Sequence, residues 1–393
     1  METLHKLSLS GDLAKLQDSG LFTLPRNLED PQGSSIQIDG HRVINLASND
    51  YLGMANHPRV KAAAVAAINS WGAGSAAARN IIGTMPLHIE LEKRVAQFKG
   101  TESAILISSG YAANIGTIPA IAGEDDAILS DELNHGSLID GCRLSKAKRL
   151  VYPHRDIDFL EKLIKQCRSC RRIIVITDSV FSMDGDIAPL SDIFSLVDQY
   201  GGGLYVDDSH GTGVLGRGGK GAAAHFNLHG KIDVEMGTLS KALGSFGGFI
   251  AGSSDLCNWL RQRERSYILS TSPPPSLCAA SIAAIDLIEN DPQMVTRLWS
   301  NAEKFRSGLR EIGFKTGTSE TPIIPVIIGE TTLAVKMSKT LFEEGVFAQS
   351  IIYPTVPKGS ARLRVIVTAA HTPSELDQAL SAFRKVGKNL SII

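Results

Sequence analysis

Two acids, a histidine and a lysine with the potential for chemistry lie in the middle of the chain. Asp207, Asp208 and His210 directly follow residues 204–206, a short apolar run rich in strand-forming side chains. Such a run predicts a buried strand, which would place these polar groups at the carboxyl edge of a sheet. Ligands bind at that edge in open α/β folds. Lys241 comes 31 residues after His210, at the end of the run Gly-Thr-Leu-Ser-Lys.

A lysine and an acid in such a setting are the two groups that a pyridoxal phosphate enzyme requires. The lysine forms a Schiff base with the cofactor, and the acid pairs with its pyridinium nitrogen. Each signal is weak alone, because strand-end acids often cap turns and most lysines are solvated. The hypothesis therefore depends on residues elsewhere in the chain.

Three other segments carry side chains suited to a ligand site. The Ser-Ser-Gly-Tyr run at 108–111 lies between a predicted strand and a predicted helix, where backbone N–H groups bind phosphate. His135 lies in a predicted loop, and an imidazole there can stack on an aromatic cofactor. Arg362 and Arg364 share one strand face, and arginine binds carboxylates through two hydrogen bonds. Each segment also has a structural alternative, which remains open. These are a plain strand-to-helix turn at 108–111, a solvated loop position for His135 and a solvated strand edge for the two arginines.

Two other motifs have weaker functional support. The GxGxxG run at 211–216 continues into residues 217–221, which are too rich in glycine to open the helix that a dinucleotide site needs. Cys167 and Cys170 form a single CxxC pair without a second pair, so we predict a surface thiol pair and no metal site.

Composition limits the class of protein. The chain has 393 residues, with 40 basic and 41 acidic side chains, so the basic excess of a nucleic-acid binder is absent. No apolar run approaches the roughly 18 residues of a membrane span, and the first residues do not resemble a secretory signal. Five cysteines fit reduced thiols. We therefore predict a cytoplasmic protein with no membrane span and no nucleic-acid partner.

Predicted strands and helices alternate after residue 100, which is typical of an α/β fold with a mostly parallel sheet. Apolar residues at helical spacing predict helices over 87–98, 276–288 and about 295–312. The strands of the main sheet are predicted at 104–107, 127–129, 150–152, 173–177, 204–206 and 249–251.

The same patterns divide the chain into three parts. Residues 1–45 predict an N-terminal segment with a peripheral helix and a hairpin, and residues 46–289 a large cofactor-binding domain. Residues 290–393 predict a smaller α+β domain. Its strands are predicted at 323–328, 347–352 and 363–367.

Nearly the whole chain resembles the α-oxoamine synthases, a branch of the fold-type I pyridoxal phosphate enzymes. Several ordered runs carry the resemblance, which makes it far more specific than any single motif. They are Ala-Ser-Asn-Asp-Tyr-Leu-Gly at 47–53, Ser-Asp-Glu-Leu-Asn-His at 130–135, Phe-Ser-Met-Asp-Gly-Asp at 181–186, Val-Asp-Asp-Ser-His at 206–210, Thr-Leu-Ser-Lys at 238–241, Arg-Leu-Arg at 362–364 and Thr-Ala-Ala-His at 368–371.

The resemblance implies roles for particular residues. Catalytic roles fall on Lys241, His135, Asp207 and His210. The cofactor would also be held by Gly110, Tyr111, Ser182, Thr238 and Ser270, of which Ser270 comes from a second subunit. The substrate side would be lined by Asn49, Thr355 and Arg364. A homodimer with a shared active site is therefore implied.

The activity implied is the condensation of a small amino acid with an acyl-CoA, which releases CoA. Glycine and acetyl-CoA are favoured, because residues 138–149 and 353–359 look most like the glycine acetyltransferase type and its dual-function relatives with oxononanoate synthase activity. Ser209 also favours the acetyltransferase type. The alternative is a decarboxylating 8-amino-7-oxononanoate synthase that uses alanine and a pimeloyl thioester, or a synthase with another acyl donor.

The chain also departs from the pattern of this group at a few positions. Residues 76–78 are three alanines where many of these enzymes have a Gly/Ser-rich run, and Ser179 and Pro273 replace more frequent residues. Two other classes of protein would use this sequence differently. A nicotinamide oxidoreductase would use residues 211–216, and a regulatory subunit without chemistry would be expected to lack Lys241, which is present.

Overall fold

A seven-stranded sheet lies at the centre of the protein, seen in a computed structural model that describes residues 9–18, 22 and 24–393. The strands among the described residues are β1 (Ser35–Ile38), β2 (His41–Asn45), β3 (Ser103–Ile107), β4 (Ala127–Asp131), β5 (Lys148–Tyr152), β6 (Ile173–Asp178), β7 (Gly203–Asp207), β8 (Val234–Thr238), β9 (Gly248–Gly252), β10 (Ile323–Gly329), β11 (Val346–Phe347), β12 (Gln349–Ile351) and β13 (Ala361–Ile366).

The order of strands in the central sheet is β3-β9-β8-β7-β6-β4-β5. Neighbouring strands from β5 to β8 run parallel, whereas β9 is antiparallel to β8 and β3. Within β7, Leu204 and Val206 face one apolar core and Tyr205 faces another. The sheet is therefore buried on both faces, and the predicted α/β class with a mostly parallel sheet is confirmed.

Helices cover both faces of this sheet and connect its parallel strands. The helices among the described residues are α1 (Ser10–Asp18), α2 (Pro58–Trp71), α3 (Pro86–Lys99), α4 (Gly110–Ile121), α5 (Gly136–Leu144), α6 (Ile157–Gln166), α7 (Leu190–Gln199), α8 (Ala222–His225), α9 (Ser254–Arg263), α10 (Arg265–Ile268), α11 (Pro275–Asn290), α12 (Gln293–Ile312), α13 (Thr331–Glu343) and α14 (Pro373–Asn389).

Two three-stranded sheets lie outside the central one. The first has the order β1-β2-β11, and the second has the order β10-β13-β12 with antiparallel pairs. Phe305 of α12 and Phe383 of α14 pack edge to face against each other in the core beside the second sheet. The domain boundaries at residues 45 and 289 stay a prediction.

Most predicted elements are present, with two differences. The predicted strand at 347–352 is two short strands, because β11 pairs with β2 and β12 pairs with β13. Strand β8 was not predicted, since Glu235 and Gly237 interrupt its apolar pattern. Glu235 is nevertheless buried, 3.1 Å from the ammonium of Lys99.

Two predictions concern membranes and the first residues. None of the helices in the described part of the chain is long and apolar enough to cross a membrane. Residues 1–8, on which the prediction of no secretory signal depends, lie outside the described residues.

A buried ionic cluster supports the strands that end at the ligand-binding edge. The Nζ atom of Lys99 lies 2.7 Å from Oδ2 of Asp208 and donates to the carbonyl of Lys220 at 2.9 Å. Asp208 also accepts hydrogen bonds from the hydroxyls of Ser179 and Thr212. Charges removed from water so completely are tolerated only when they are paired. The cluster therefore holds the segment after β7 to α3 and to the loop that precedes α8.

Lys99→Met tests the cluster, because it keeps most of the packing and removes the positive charge. Two buried carboxyl groups would lose their partner, so we expect the free energy of unfolding in urea to fall by about 3–5 kcal/mol. The matched control is Lys385→Met, which breaks an exposed ion pair with Glu344 and is expected to cost at most about 1 kcal/mol. Equal losses in the two variants would contradict the assignment.

Candidate active site

The carboxyl ends of the parallel strands bring the predicted polar residues together at one edge of the central sheet. β6 ends at Asp178, β7 at Asp207 and β8 at Thr238. Lys241 follows β8 in a tight turn, in which Gly244 N–H donates to the carbonyl of Lys241 at 2.9 Å. Asp207 therefore lies where the sequence predicted it, at the carboxyl edge of the sheet.

Lys241 is the first of three side chains that are connected by hydrogen bonds. Nζ of Lys241 lies 2.9 Å from Nε2 of His210, and Nδ1 of His210 lies 2.7 Å from the hydroxyl of Tyr51. Tyr51 is 1% exposed and His210 is 7% exposed. The lysine amine thus contacts an imidazole that is itself held by a buried tyrosine.

The environment of Lys241 favours its neutral form. Burial lowers the pKa of its amine to about 8, and the positive charge of Arg364 acts in the same direction. The carboxyl groups of Asp207 and Asp178 oppose this shift. Burial also lowers the pKa of His210 well below its ordinary value, with Lys241 and Arg364 adding to the effect. Near neutral pH, His210 is therefore a neutral imidazole.

Asp207 is held by a second buried network. Its Oδ2 accepts a hydrogen bond from Nδ2 of Asn114 at 2.7 Å, and its Oδ1 accepts from the N–H of Ser209 at 2.9 Å. Tyr205 donates its hydroxyl proton to Oδ1 of Asn114 at 2.7 Å, which leaves the amide nitrogen to face the acid. The carboxylate is consequently fixed in position by groups from α4 and β7.

His135 is the N-cap residue of α5, next to this network. Its Nδ1 lies 2.7 Å from the hydroxyl of Ser137, and its own N–H donates to Oδ2 of Asp178 at 2.6 Å. Burial lowers the pKa of His135, which favours a neutral ring. Burial and the nearby charge of Asp207 raise the pKa of Asp178 well above its usual value.

The N-terminus of α4 packs closely against the end of β8. Ser109 caps the helix by accepting a hydrogen bond from Ala112 N–H at 3.1 Å. A Cβ atom added to Gly110 would lie 3.2 Å from Cβ of Thr238, so a larger residue would crowd this contact. The first helical turn thus lies beside the Thr238 hydroxyl, and N–H groups at a helix N-terminus are suited to binding an anion. Tyr111 is half exposed and donates to Asp140 at 2.7 Å.

The small sheet contributes an arginine to the same region. Nη2 of Arg364, on β13, donates to Oδ1 of Asn49 at 3.1 Å, so these two predicted substrate-side residues meet. The other arginine on this strand, Arg362, is paired with Asp184 and also donates to the carbonyl of Met183. The guanidinium of Arg362 is thus paired with a carboxylate, whereas that of Arg364 is held by an amide.

Three predicted residues lie outside these hydrogen-bonded networks. Ser182 follows β6 on the loop that ends at Asp186. Thr355 is exposed on the loop after β12, and Ser270 is partly exposed on the segment after α10. Their roles stay predictions.

Sequence reasoning missed three residues that the fold brings to the site. Asp178 ends a predicted strand, so the rule that found Asp207 could also have found it. Tyr51 and Asn114 lie within runs that were recognised, but their partners are distant in the chain and no local pattern indicates them.

The donor set fits pyridoxal phosphate. The site offers an amine for the aldehyde, a fixed carboxylate for the ring nitrogen and N–H groups for the phosphate. Among the described residues, no cluster of histidine, cysteine, aspartate and glutamate side chains could hold a metal ion.

The low pKa of Lys241 can be tested in cofactor-free protein by competitive labelling with acetic anhydride. Only the neutral amine reacts, so we expect labelling of Lys241 to rise with pH through about 8 and then level off. The control is Lys146, an exposed lysine whose pKa is raised by Glu124 and which should keep gaining reactivity at higher pH. Peptide mass spectrometry would quantify both sites, and coincident titration of the two lysines would refute the prediction.

Similar proteins show the family to which the chain belongs. Residues 41–383 match the aminotransferase class I and II family. The chain is 52% identical over 395 residues to the 8-amino-7-oxononanoate synthase of Thermoanaerobacter pseudethanolicus, with all of both chains covered. It is also 52% identical over 382 residues to the enzyme of that name from Thermosipho melanesiensis, covering 97% of this chain and 98% of the relative.

Solved structures agree with the sequence relatives. A serine palmitoyltransferase from Sphingomonas wittichii superimposes over the full length of both chains with a TM-score of 0.94 at 30% identity. The one from S. paucimobilis, solved with pyridoxal phosphate and myriocin bound, gives 0.93 at 31% identity over all of both chains. The chain therefore belongs to the aminotransferase class I and II family, and within it to the α-oxoamine synthases, which are pyridoxal phosphate-dependent acyltransferases.

Proposed function

We propose that this enzyme is a decarboxylating 8-amino-7-oxononanoate synthase, which joins alanine to a pimeloyl thioester. The observation that carries the proposal is the 52% identity, over the whole of both chains, to a relative of that name. The expectation of glycine and acetyl-CoA is not supported by these relatives, whose names correspond to the alternative.

The geometry of the site is consistent with this activity. Arg364, held by Asn49, presents a guanidinium that can bind the carboxylate of the amino acid. Lys241 lies beyond it at the sheet edge with a pKa of about 8, so its amine can accept a proton from the α-carbon near neutral pH. Arg364 would thus bind the carboxylate, and Lys241 would act on the α-carbon, of the same small substrate.

Pyridoxal phosphate, when bound, supplies the aldehyde that takes up the substrate amino group and the ring that withdraws electrons from the α-carbon. Asp207 would hold the proton on the ring nitrogen, because Asn114 and the N–H of Ser209 fix its carboxylate. Gly110, Thr238 and the first turn of α4 would bind the phosphate. His135 would stack on the ring face, and Ser182 and His210 would orient its phenolic oxygen.

We further propose that the enzyme works as a homodimer in the cytoplasm, with Ser270 contributing to the site of the partner. Large apolar side chains surround the segment that carries Ser270, which supports this proposal. Ile81, Ile82 and Leu269 are 74%, 82% and 69% exposed. Their segments are adjacent, since Ala78 and Thr271 form a β-bridge. Exposed apolar groups concentrated in one area are typical of protein interfaces.

Product analysis tests the proposed activity. Alanine and glycine would each be offered with pimeloyl-CoA and acetyl-CoA, and the products identified by mass spectrometry. We expect alanine with pimeloyl-CoA to give a product lighter by one carbon dioxide than simple condensation, at least about tenfold faster than other pairs. Lys241→Ala is the control and should form none. Preferential condensation of glycine with acetyl-CoA, with the carboxylate retained, would refute the proposal.

Asn114→Ala tests the support of Asp207. The substitution removes a hydrogen bond to the carboxylate that would face the cofactor, a loss of about 1.5–3 kcal/mol for a charged partner. We expect the affinity for pyridoxal phosphate to fall roughly 10- to 100-fold in fluorescence titrations. Asn258→Ala on the exposed face of α9 should leave the affinity unchanged. An Asn114 variant with unaltered affinity and melting temperature would exclude this role.

A further inference from the structure

Tyr51 holds an unusual position, because it reaches the catalytic lysine through a single intervening side chain. Its hydroxyl lies 2.7 Å from Nδ1 of His210, and Nε2 of the same ring lies 2.9 Å from Nζ of Lys241. The two rings meet edge to face, with centroids 6.1 Å apart and planes at 78°. Since Tyr51 is 1% exposed, bulk water cannot replace its contact with His210.

The neutral imidazole ring of His210 can form its hydrogen bonds to Tyr51 and Lys241 in two ways. In one tautomer, Nδ1 accepts from the Tyr51 hydroxyl and Nε2–H donates to the lone pair of a neutral Lys241 amine. In the other, Nδ1–H donates to the tyrosine oxygen and Nε2 accepts from a lysine ammonium. The tautomer of His210 therefore decides which protonation state of Lys241 is stabilised.

The Tyr51 hydroxyl selects between these tautomers. Tyr51 is 1% exposed, and its hydroxyl lies 2.7 Å from Nδ1 of His210. A buried O–H group that does not donate loses a hydrogen bond to water without replacing it. The hydroxyl proton is therefore directed at Nδ1, which must then be the unprotonated nitrogen of the ring.

We propose that Tyr51 is a positioning residue that fixes the tautomer of His210, so that Nε2–H faces the amine nitrogen of Lys241. The inference rests on the proposed role of Lys241 as the base and deepens it. A donor directed at the amine nitrogen opposes protonation of the amine and leaves its lone pair oriented along the hydrogen bond.

Other charges around the lysine are fixed by the fold and do not depend on Tyr51. Asp178 at the end of β6 and Asp207 at the end of β7 favour the ammonium form, whereas Arg364 on β13 disfavours it. His135 at the start of α5 faces His210 and disfavours the imidazolium form. Loss of the Tyr51 hydroxyl would leave these groups in place. It would remove only the constraint on which nitrogen of His210 carries the proton.

Tyr51→Phe tests the proposal in cofactor-free protein, where activity is not needed as a readout. Without the hydroxyl, Nε2 of His210 can become an acceptor, so the pKa of Lys241 should rise by roughly 0.5–1 unit, which corresponds to one hydrogen bond. Competitive labelling of Lys241 would measure this shift. The control is Tyr152→Phe, because Tyr152 is also fully buried and its hydroxyl makes no hydrogen bond to His210 or Lys241.

A double mutant distinguishes an effect of Tyr51 on the Lys241 pKa that passes through His210 from a general disturbance of the site. In a His210→Asn background, we expect Tyr51→Phe to cause no further shift in the pKa of Lys241, because the group that transmits the effect is gone. A shift of the same size in both backgrounds would overturn the proposal, as would an unchanged Lys241 pKa in the single variant.

The tautomer can also be observed directly in the wild-type protein. Nitrogen-15 NMR of histidine-labelled, cofactor-free protein, recorded above pH 8 where the Lys241 amine is neutral, should show a protonated Nε2 and an unprotonated Nδ1 for His210, identified by its loss in His210→Asn. A proton on Nδ1 would overturn the proposal even if Tyr51→Phe failed to fold. Neither measurement depends on the substrate, so failure of the proposed synthase activity would be seen separately in the product assay.

Discussion

Desolvation of one amine, Nζ of Lys241, is the constraint on which the rest of the active site depends. Burial alone would favour the neutral form strongly, whereas the acids at the ends of β6 and β7 favour the charged form. The result is a pKa of about 8, which lets the amine act as a nucleophile and as a base near neutral pH. The strand ends thus supply the balance of charges as well as the positions of the side chains.

Two buried polar networks keep that edge of the sheet in place. Asn114 ties Asp207 to α4, and Lys99 ties Asp208 to α3 and to the loop before α8. Such networks cost free energy to desolvate and contribute little net stability. Their contribution here is geometric. Asp207 and Asp208 are neighbours at one strand end, but each is bound to a different partner, so the two acids cannot exchange positions.

The small sheet completes the site from the opposite side. Arg364 is carried by β13 and reaches Asn49 in the segment after β2, so this contact joins the two ends of the chain. The proposed alanine substrate would be held there, and the cofactor would be held by the central sheet. In this proposal, specificity for the amino acid and placement of the cofactor would depend on different elements, which is consistent with relatives that share the fold and differ in name.

The sequence by itself determined the elements and most of the chemistry. Alternating apolar runs indicated six of the seven central strands, and ordered motifs indicated Lys241, Asp207 and His210, because strand ends and turns leave local signatures. Strand β8 was missed, since its Glu235 interrupts the apolar pattern and pairs with Lys99, which lies far away in the chain. Tyr51 lies 159 residues from His210. Contacts of that kind are decided by tertiary packing, because nothing in the local pattern of either residue identifies its partner.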